Sequence, residues 1–446
     1  MNSLGFIRKL KAFVRPCPAL MAASLYLAVA CMAAEAPSVT LTLQQCVERA
    51  LAQNSDMLLA RLEQREAAAQ AQTVADPYSL RLSVGSGMAW TSGFPMNVGG
   101  SGPSLVNAQA SMTLFDRAQR FRVLEARERT AASALREVEQ RRTVAMEVAR
   151  LYLEAENLQK SQQLADQELQ SLERLAEIRK AQVGEGRMLA LDLKQTSAEL
   201  ARARHRARQT TTSLQNTQES LGFVLGMEAG ARVITASENR LPVDVPANLE
   251  QATGIALGKH PSIERNELQM RANRYQMRAA KSSHWPVVRL ISQYSMFSKF
   301  NNYDRFYNHF ERHNGQVGAS FELPIFTGKA PRAAAEQANV EEERLRRQDF
   351  DLRRRVVLDT SKQFRDMEDA KAYHELTSLE LDVARERVSV LLARSAEGRA
   401  TLDELEVARA EEARKWVEFY RSRAQAELAA LELLGQTGQL LGYFQQ

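Results

Sequence analysis

The stretch that decides the fold begins at Thr113-Leu114-Phe115-Asp116 and runs to Val183-Gly184-Glu185-Gly186. Between Asp116 and Val183 the chain has no proline and no glycine. Proline costs about 3 kcal/mol inside a helix and glycine about 1, so their absence permits one uninterrupted helix. At about 1.5 Å per residue such a helix is roughly 100 Å long. No globular core needs that length, whereas a structure that crosses a gap does. After the glycines the chain turns back through Arg187-Met188-Leu189-Ala190-Leu191-Asp192 into a second polar-apolar run.

The same order of events returns downstream. Leu323-Pro324-Ile325-Phe326 leads into a long helical run, a glycine at Gly398, then Arg399-Ala400-Thr401-Leu402-Asp403. Phe115 maps to Phe326 and Asp192 to Asp403, both at an offset of 211 residues. One half of the chain is a copy of the other, and each half carries a long helical hairpin.

Composition agrees with extended helices. In 446 residues, 25% are charged and 7% aromatic, and all twelve prolines lie at 16–103, 242–286 and 324–331. In the first long run, positions 144, 148, 151, 155, 158, 162, 165, 169, 172, 176, 179 and 183 follow a four-three spacing. Ten of these twelve are apolar, which predicts a supercoiled antiparallel packing.

The N-terminus reads as a secretory signal: Arg8, Lys9, Lys11 and Arg15, then an apolar run from Ala19 to Met32, then Ala33, Ala34 and Ala36. The run falls short of the roughly 20 residues of a membrane span. Removing it lowers the formal charge from +5 to about +1, so the basic pI carries no case for nucleic acid. The clusters Arg202-Ala203-Arg204-His205-Arg206 and Arg353-Arg354-Arg355 lie among glutamates and read as solvated helix faces. Of three cysteines only Cys46 lies beyond the signal, so no internal disulfide or cysteine zinc site is expected. Ala28-Val29-Ala30-Cys31 loosely resembles a lipoprotein acylation site, which makes Cys31 a candidate for lipidation.

Before each long run the hydrophobic period changes from 3.6 to 2. Leu80, Leu82, Val84, Met88 and Trp90 share one parity, and so do Val106, Ala108, Ala110, Met112 and Leu114. Val317, Ala319, Phe321 and Leu323 repeat the pattern, and Val288, Leu290, Tyr294 and Met296 follow it less cleanly because Ile291 and Phe297 fall on the polar side. Strands of 9–11 residues, apolar on one face and polar on the other, match outer-membrane strands. Four small-sheet strands of a soluble domain are the rival reading. Four strands cannot close a barrel and lipid does not tolerate open edges, so membrane insertion would require several copies.

The expected division is therefore signal 1–34, first-repeat helices 35–78, strand pair 79–115, hairpin 116–228, linker 229–248, second-repeat helices 249–284, strand pair 285–326, hairpin 327–435 and tail 436–446. Thr42 with Gln45 forms a capping box for the first helix. Gly226 and Gly435 are expected C-caps of the returning helices.

Duplicated halves, strand pairs, the Leu114-Phe115 and Ile325-Phe326 strand exits, the two glycine-to-aspartate tips and the Leu-Gly helix ends together resemble the TolC family of outer-membrane efflux proteins. The resemblance covers essentially the whole mature chain. It implies a mainly α fold in which the hairpins of a homotrimer form an α-barrel tunnel through the periplasm. The four strands of each chain would contribute to a 12-stranded β-barrel in the outer membrane of a Gram-negative bacterium. It also implies a passive conduit in a tripartite efflux or type I secretion system, fed by a periplasmic adaptor and an inner-membrane pump of RND, ABC or MFS type.

By the same resemblance, the tips at Gly184, Gly186, Arg187, Gly398 and Arg399 would meet the adaptor. Asp403 and Glu406, with Asp192 as the first-half equivalent, would line a constricted entrance. Glu397 stands where the family has its turn glycine, which leaves the second tip's turn open. Three copies of Asp403 and Glu406 would give six carboxylates, favouring cations; the alternative is simple pairing with Arg399 or Arg409 on a coil surface.

Two other classes remain at this point. A periplasmic adaptor has one hairpin flanked by β-rich halves, and a pore-free coiled-coil scaffold needs no symmetric strands. The chain shows no phosphate loop or nucleophile elbow, so no enzyme, cofactor or metal centre is expected. His309 and His313, four apart in an expected loop, are the nearest approach to ligand spacing.

Overall fold

The computed structural model describes residues 38–87, 104–236, 240, 243–297 and 313–445. The expected signal with Cys31, the expected strand residues Met88 and Trp90, His309 and the segments 88–103 and 298–312 lie outside them.

A short strand β1 (Ser38–Leu41) precedes α1 (Leu43–Gln53) and α2 (Ser55–Ala75). The Thr42–Gln45 capping box closes α1 as the sequence predicts, and Asn54 both ends α1 and caps α2. Strands β2 (Arg81–Gly87) and β3 (Ser104–Asp116) follow, then α3 (Arg117–Gly184) and the returning α4 (Ala190–Val224). The second half repeats this as β4 (Arg232–Thr235), α5 (Leu249–Lys259), α6 (Pro261–Lys281), β5 (Val287–Phe297), β6 (His313–Glu322), α7 (Ala330–Ala396), α8 (Leu402–Gln436) and α9 (Leu440–Tyr443).

The long helices have 68 and 67 residues and their return helices 35 each. Each long helix therefore changes partner halfway. Near the sheet α3 packs on α2, with Arg136 on Glu63 and Arg61 on Glu137. Farther out it packs on α4, with Arg204 on Glu173. In the second half α6 and then α8 take the same two places on α7.

This exchange shifts the heptad. Val144, Val148 and Ala155 are buried as expected, but beyond them the buried positions are Ser161, Glu168, Ser171, Leu172 and Leu175, of which only Leu172 was expected. Glu168 sits in the seam because it accepts from Arg206 of α4 at 2.8 Å and Arg414 of α8 at 2.9 Å. Arg204 and Arg353 likewise pair with acids, so the basic clusters are ion-paired helix faces.

Where the partners exchange, a girdle forms. Strands β1 and β4 pair in parallel, and Leu43, Val47, Met57, Tyr152, Leu221 and Leu431 bury together beneath them. Gly226 turns the chain with φ 70° just past the Leu225 C-cap, but in the second half Gly435 stays inside α8 and Gly438, φ 74°, does that work after Thr437.

The four long strands form one antiparallel sheet in the order β2-β3-β5-β6. Register confirms a two-faced sheet. Leu82 lies opposite Ala110, Ala108 opposite Tyr294, Leu290 opposite Ala319 and Val288 opposite Phe321. On the other face Ser83, Gln109, Gln293 and Gln316 stand in one row, with Gln316 donating to Gln293 at 2.8 Å. Ile291 is on that polar face, between Ser111 and Gly318, as the parity requires. His313 begins β6 rather than lying in a loop, and its Nδ1 is 2.6 Å from the Tyr294 hydroxyl.

Candidate functional site: the hairpin tips and the seam above them

Both tips are built the same way, which settles the second turn. α3 ends at Gly184, Glu185 is its C-cap, and Gly186 turns the chain with φ 72°. α7 ends at Ala396, Glu397 is its C-cap, and Gly398 turns with φ 73°. A left-handed φ is costly for any residue with a Cβ, which is why glycine stands at both places. The hydrogen bonds match in order: Arg187 N donates to Gln182 O and Arg399 N to Arg394 O, both at 2.8 Å. Arg187 pairs with Glu185 and Arg399 with Glu397, each at 3.1 Å. Gly186 is thus the counterpart of Gly398, and Glu397 corresponds to Glu185; Gly184 belongs to the last turn of α3.

This alignment corrects the expected pairing of Asp192 with Asp403. The N-caps are Leu189 and Thr401. Asp192 is therefore the third residue of α4, and its counterpart is Glu404, which closes a capping box on Thr401. Asp403 is the second residue of α8, and its counterpart is Leu191. Aspartates one place apart on a helix point about 100° apart, so the two do not occupy equivalent faces.

Asp403 faces α3. Arg179 grips it with two bonds, Nε to Oδ1 at 2.7 Å and Nη2 to Oδ2 at 3.0 Å. The third Arg179 bond goes to Thr196 Oγ1 at 2.8 Å, and Thr196 in turn donates to Asp192 O. The bond to Asp403 raises the pKa of Arg179 against its partial burial, so the guanidinium stays charged. Four elements of chemistry thus converge: the first hairpin's two helices, a hydroxyl between them, and the second hairpin's carboxylate.

Glu406 is deeper, with its side chain only 3% exposed. Arg409 donates to Oε1 at 2.8 Å and Arg174 stands 4.0 Å away, while Oε2 has no hydrogen-bond partner. In the single chain neither acid presents a free carboxylate. Sequence reading missed Arg179, Arg174 and Thr196. The signal available was only Arg179 standing at a heptad position otherwise filled by apolar residues.

The tips also expose Leu189, Leu191 and Leu402 on their returning strands of helix. Among the described residues no group of three His, Cys, Asp or Glu is placed to hold a metal, and no helix is long and apolar enough to span a membrane.

Residues 46–227, from the first helix through the first hairpin, match the family model for outer membrane efflux proteins. The match covers 182 of the chain's 446 residues. The chain also superposes on solved structures over nearly its full length. It is 16% identical to CusC, with a TM-score of 0.72 over 89% of this chain and 92% of that one. It is 18% identical to the outer membrane protein VceC of Vibrio cholerae, with a TM-score of 0.68 over 88% and 96%. With the MtrE outer membrane channel of Neisseria gonorrhoeae it shares 16% identity and a TM-score of 0.63 over 89% of each chain. Identities this low establish a shared fold. No curated protein matches the chain by sequence.

Proposed function

We propose that this protein is the outer-membrane channel of a tripartite efflux or type I secretion system, acting as a passive homotrimeric conduit. One observation carries the reading. The sheet has an uncovered apolar face, with Leu82 70% and Val317 78% exposed, a glutamine row on its other face, and unpaired outer edges on β2 and β6 among the described residues. A bilayer accommodates such a sheet only as part of a closed barrel with the polar face inward. Three copies supply twelve strands, and helices about 100 Å long then extend the lumen into the periplasm.

In this reading the matched tips, with Arg187 and Arg399 beside exposed leucines, dock a periplasmic adaptor that recruits an RND, ABC or MFS pump. The Arg179–Asp403 pair holds the second hairpin against the first. Asp403 and Glu406 join Asp192 as entrance acids once hairpin movement separates them from Arg179 and Arg174 of α3. Cys31 lipidation belongs to the same reading, and an intact mass bearing a diacylglyceryl group would support it.

The test is conductance of the purified protein in a planar bilayer. Discrete channels are expected, and Asp403→Ala with Glu406→Ala should raise their conductance and weaken cation preference. Channels indifferent to both changes would remove the entrance assignment; no channels at all would remove the conduit.

A further inference from the structure

The four places where the sheet meets the helices share one composition. Segments 76–81, 116–120, 278–289 and 322–332 contain eight lysines and arginines against three acids. The acids are already engaged. Asp76 pairs with Arg81, Glu322 with Arg289 at 2.9 Å, and Asp116 caps α3 by accepting from Gln119 N at 2.9 Å. That leaves Arg117, Arg120, Arg278, Lys281, Lys329 and Arg332 without an ion pair among the described residues, and all but Arg117 are exposed.

These residues lie at one level. Asp116, Val287 and Glu322 stand side by side across β3, β5 and β6, and the Tyr78 hydroxyl donates to Asp116 O at 2.7 Å, bringing the entry of β2 to the same line. On the sheet side of that line the surface is apolar, with Leu80, Leu114 and Phe115 exposed; Ile325 and Phe326, just past Glu322, are 88% and 96% exposed. On the line itself Trp285, 40% exposed, carries the Arg117 guanidinium 4.0 Å above its ring. The opposite ends of the strands have no such surplus: segment 88–103 has no charged residue, and 298–312 has three cations against two acids.

Apolar surface, then an aromatic ring, then unpaired cations is the order in which a bilayer presents acyl chains, interface and phosphate. We infer that this collar binds the headgroups of anionic phospholipids in the membrane leaflet facing the helices. The inference rests on the outer-membrane reading above and adds to it a lipid class and a leaflet. Five surplus positive charges per chain, fifteen in a trimer, favour phosphatidylglycerol or cardiolipin over zwitterionic lipid. Segments 88–103 and 298–312, with one surplus positive charge between them, offer nothing comparable to the other leaflet.

Spin-labelled lipids test this on the full-length protein reconstituted in phosphatidylcholine vesicles. Labelled phosphatidylglycerol should be motionally restricted with an association constant about threefold or more above labelled phosphatidylcholine at low salt. The preference should fall to about one in 1 M salt, where the screening length is about 3 Å. It should also fall to about one in Arg120→Gln/Lys281→Gln/Lys329→Gln/Arg332→Gln, which leaves Arg117 and Trp285 in place; unchanged conductance in phosphatidylcholine would show that this variant is intact. Equal association of the two lipids with the unaltered protein would overturn the collar, as would selectivity that survives in the variant. Restriction of neither lipid would instead mean that the sheet is not in the bilayer, and the channel reading would fall first.

Discussion

The first and second hairpins meet along α3 and α8, and the two ends of that seam are held by different physics. At the girdle, Val144, Val148 and Tyr152 of α3 bury with Leu431 and Leu434 of α8. Arg240 from the linker completes the join, with its side chain 11% exposed, reaching Glu156 at 2.6 Å and Glu427 at 2.9 Å. At the tips the apolar contribution thins out, and Arg179 on Asp403 holds the hairpins with both side chains partly open to water. Apolar burial is lost only by pulling surfaces apart, whereas a solvated ion pair exchanges partners at small cost. The girdle is therefore built to stay closed and the tip to separate.

Substitutions along the seam can break that contrast. Leu431→Ala at the girdle should cost about 3–5 kcal/mol in chemical denaturation, since a fully buried leucine leaves a cavity. Arg240→Ala should cost about 3 kcal/mol, because it strands two glutamates in a nearly buried site. A loss under 1 kcal/mol in either would mean the girdle is no firmer than the tip. Gly398→Ala should cost about 1 kcal/mol through its left-handed φ, and Gly186→Ala the same, because the two turns are copies. Unequal losses would show that one tip has contacts the other lacks. Asp403→Ala should cost less than about 1 kcal/mol of stability while still raising conductance. A large stability loss there would place the tip in the same class as the girdle.

The duplication, the hairpins, the dyad strands and the capping box were all legible in the sequence. Each rests on local periodicity or on glycine and proline punctuation. The faults share a cause. Pairing Asp192 with Asp403 kept the offset of 211 from the strand exits, but between strand exit and return helix the second half has one residue more than the first, and only the cap geometry at Leu189 and Thr401 reveals it. The heptad beyond Ala155 assumed one partner for α3, whereas α3 exchanges α2 for α4 at the girdle. The carboxylates at 403 and 406 were visible, and so was Arg409 as a partner, now seen on Glu406, but Arg179 and Arg174 were not. Arg179 lies 224 residues away from Asp403, and no local pattern signals a contact at that separation.

The smallest expected effect concerns pH at the girdle. His260 ends α5 and caps α6 through Ser262 N, and it lies behind Arg142, which donates to Gly435 O at 3.0 Å. Burial first, then the Arg142 charge, lowers its pKa below the ordinary 6.5. The unfolded chain therefore takes up its proton first, and the His260 contribution to stability declines as pH falls through 6.5 toward the lower folded value. His260→Asn replaces the capping Nδ1 with an amide oxygen and should flatten that part of the stability profile. An unchanged slope would assign the acid sensitivity elsewhere.

The central claim is that β2 and β6 close only against other copies of the chain. The direct measurement is the mass of the detergent-solubilised native protein, taken from separated envelope fractions. The account requires a particle of three chains in the outer-membrane fraction. A soluble periplasmic monomer or dimer would mean that the four strands form an ordinary β-domain, and the conduit would fall with the barrel.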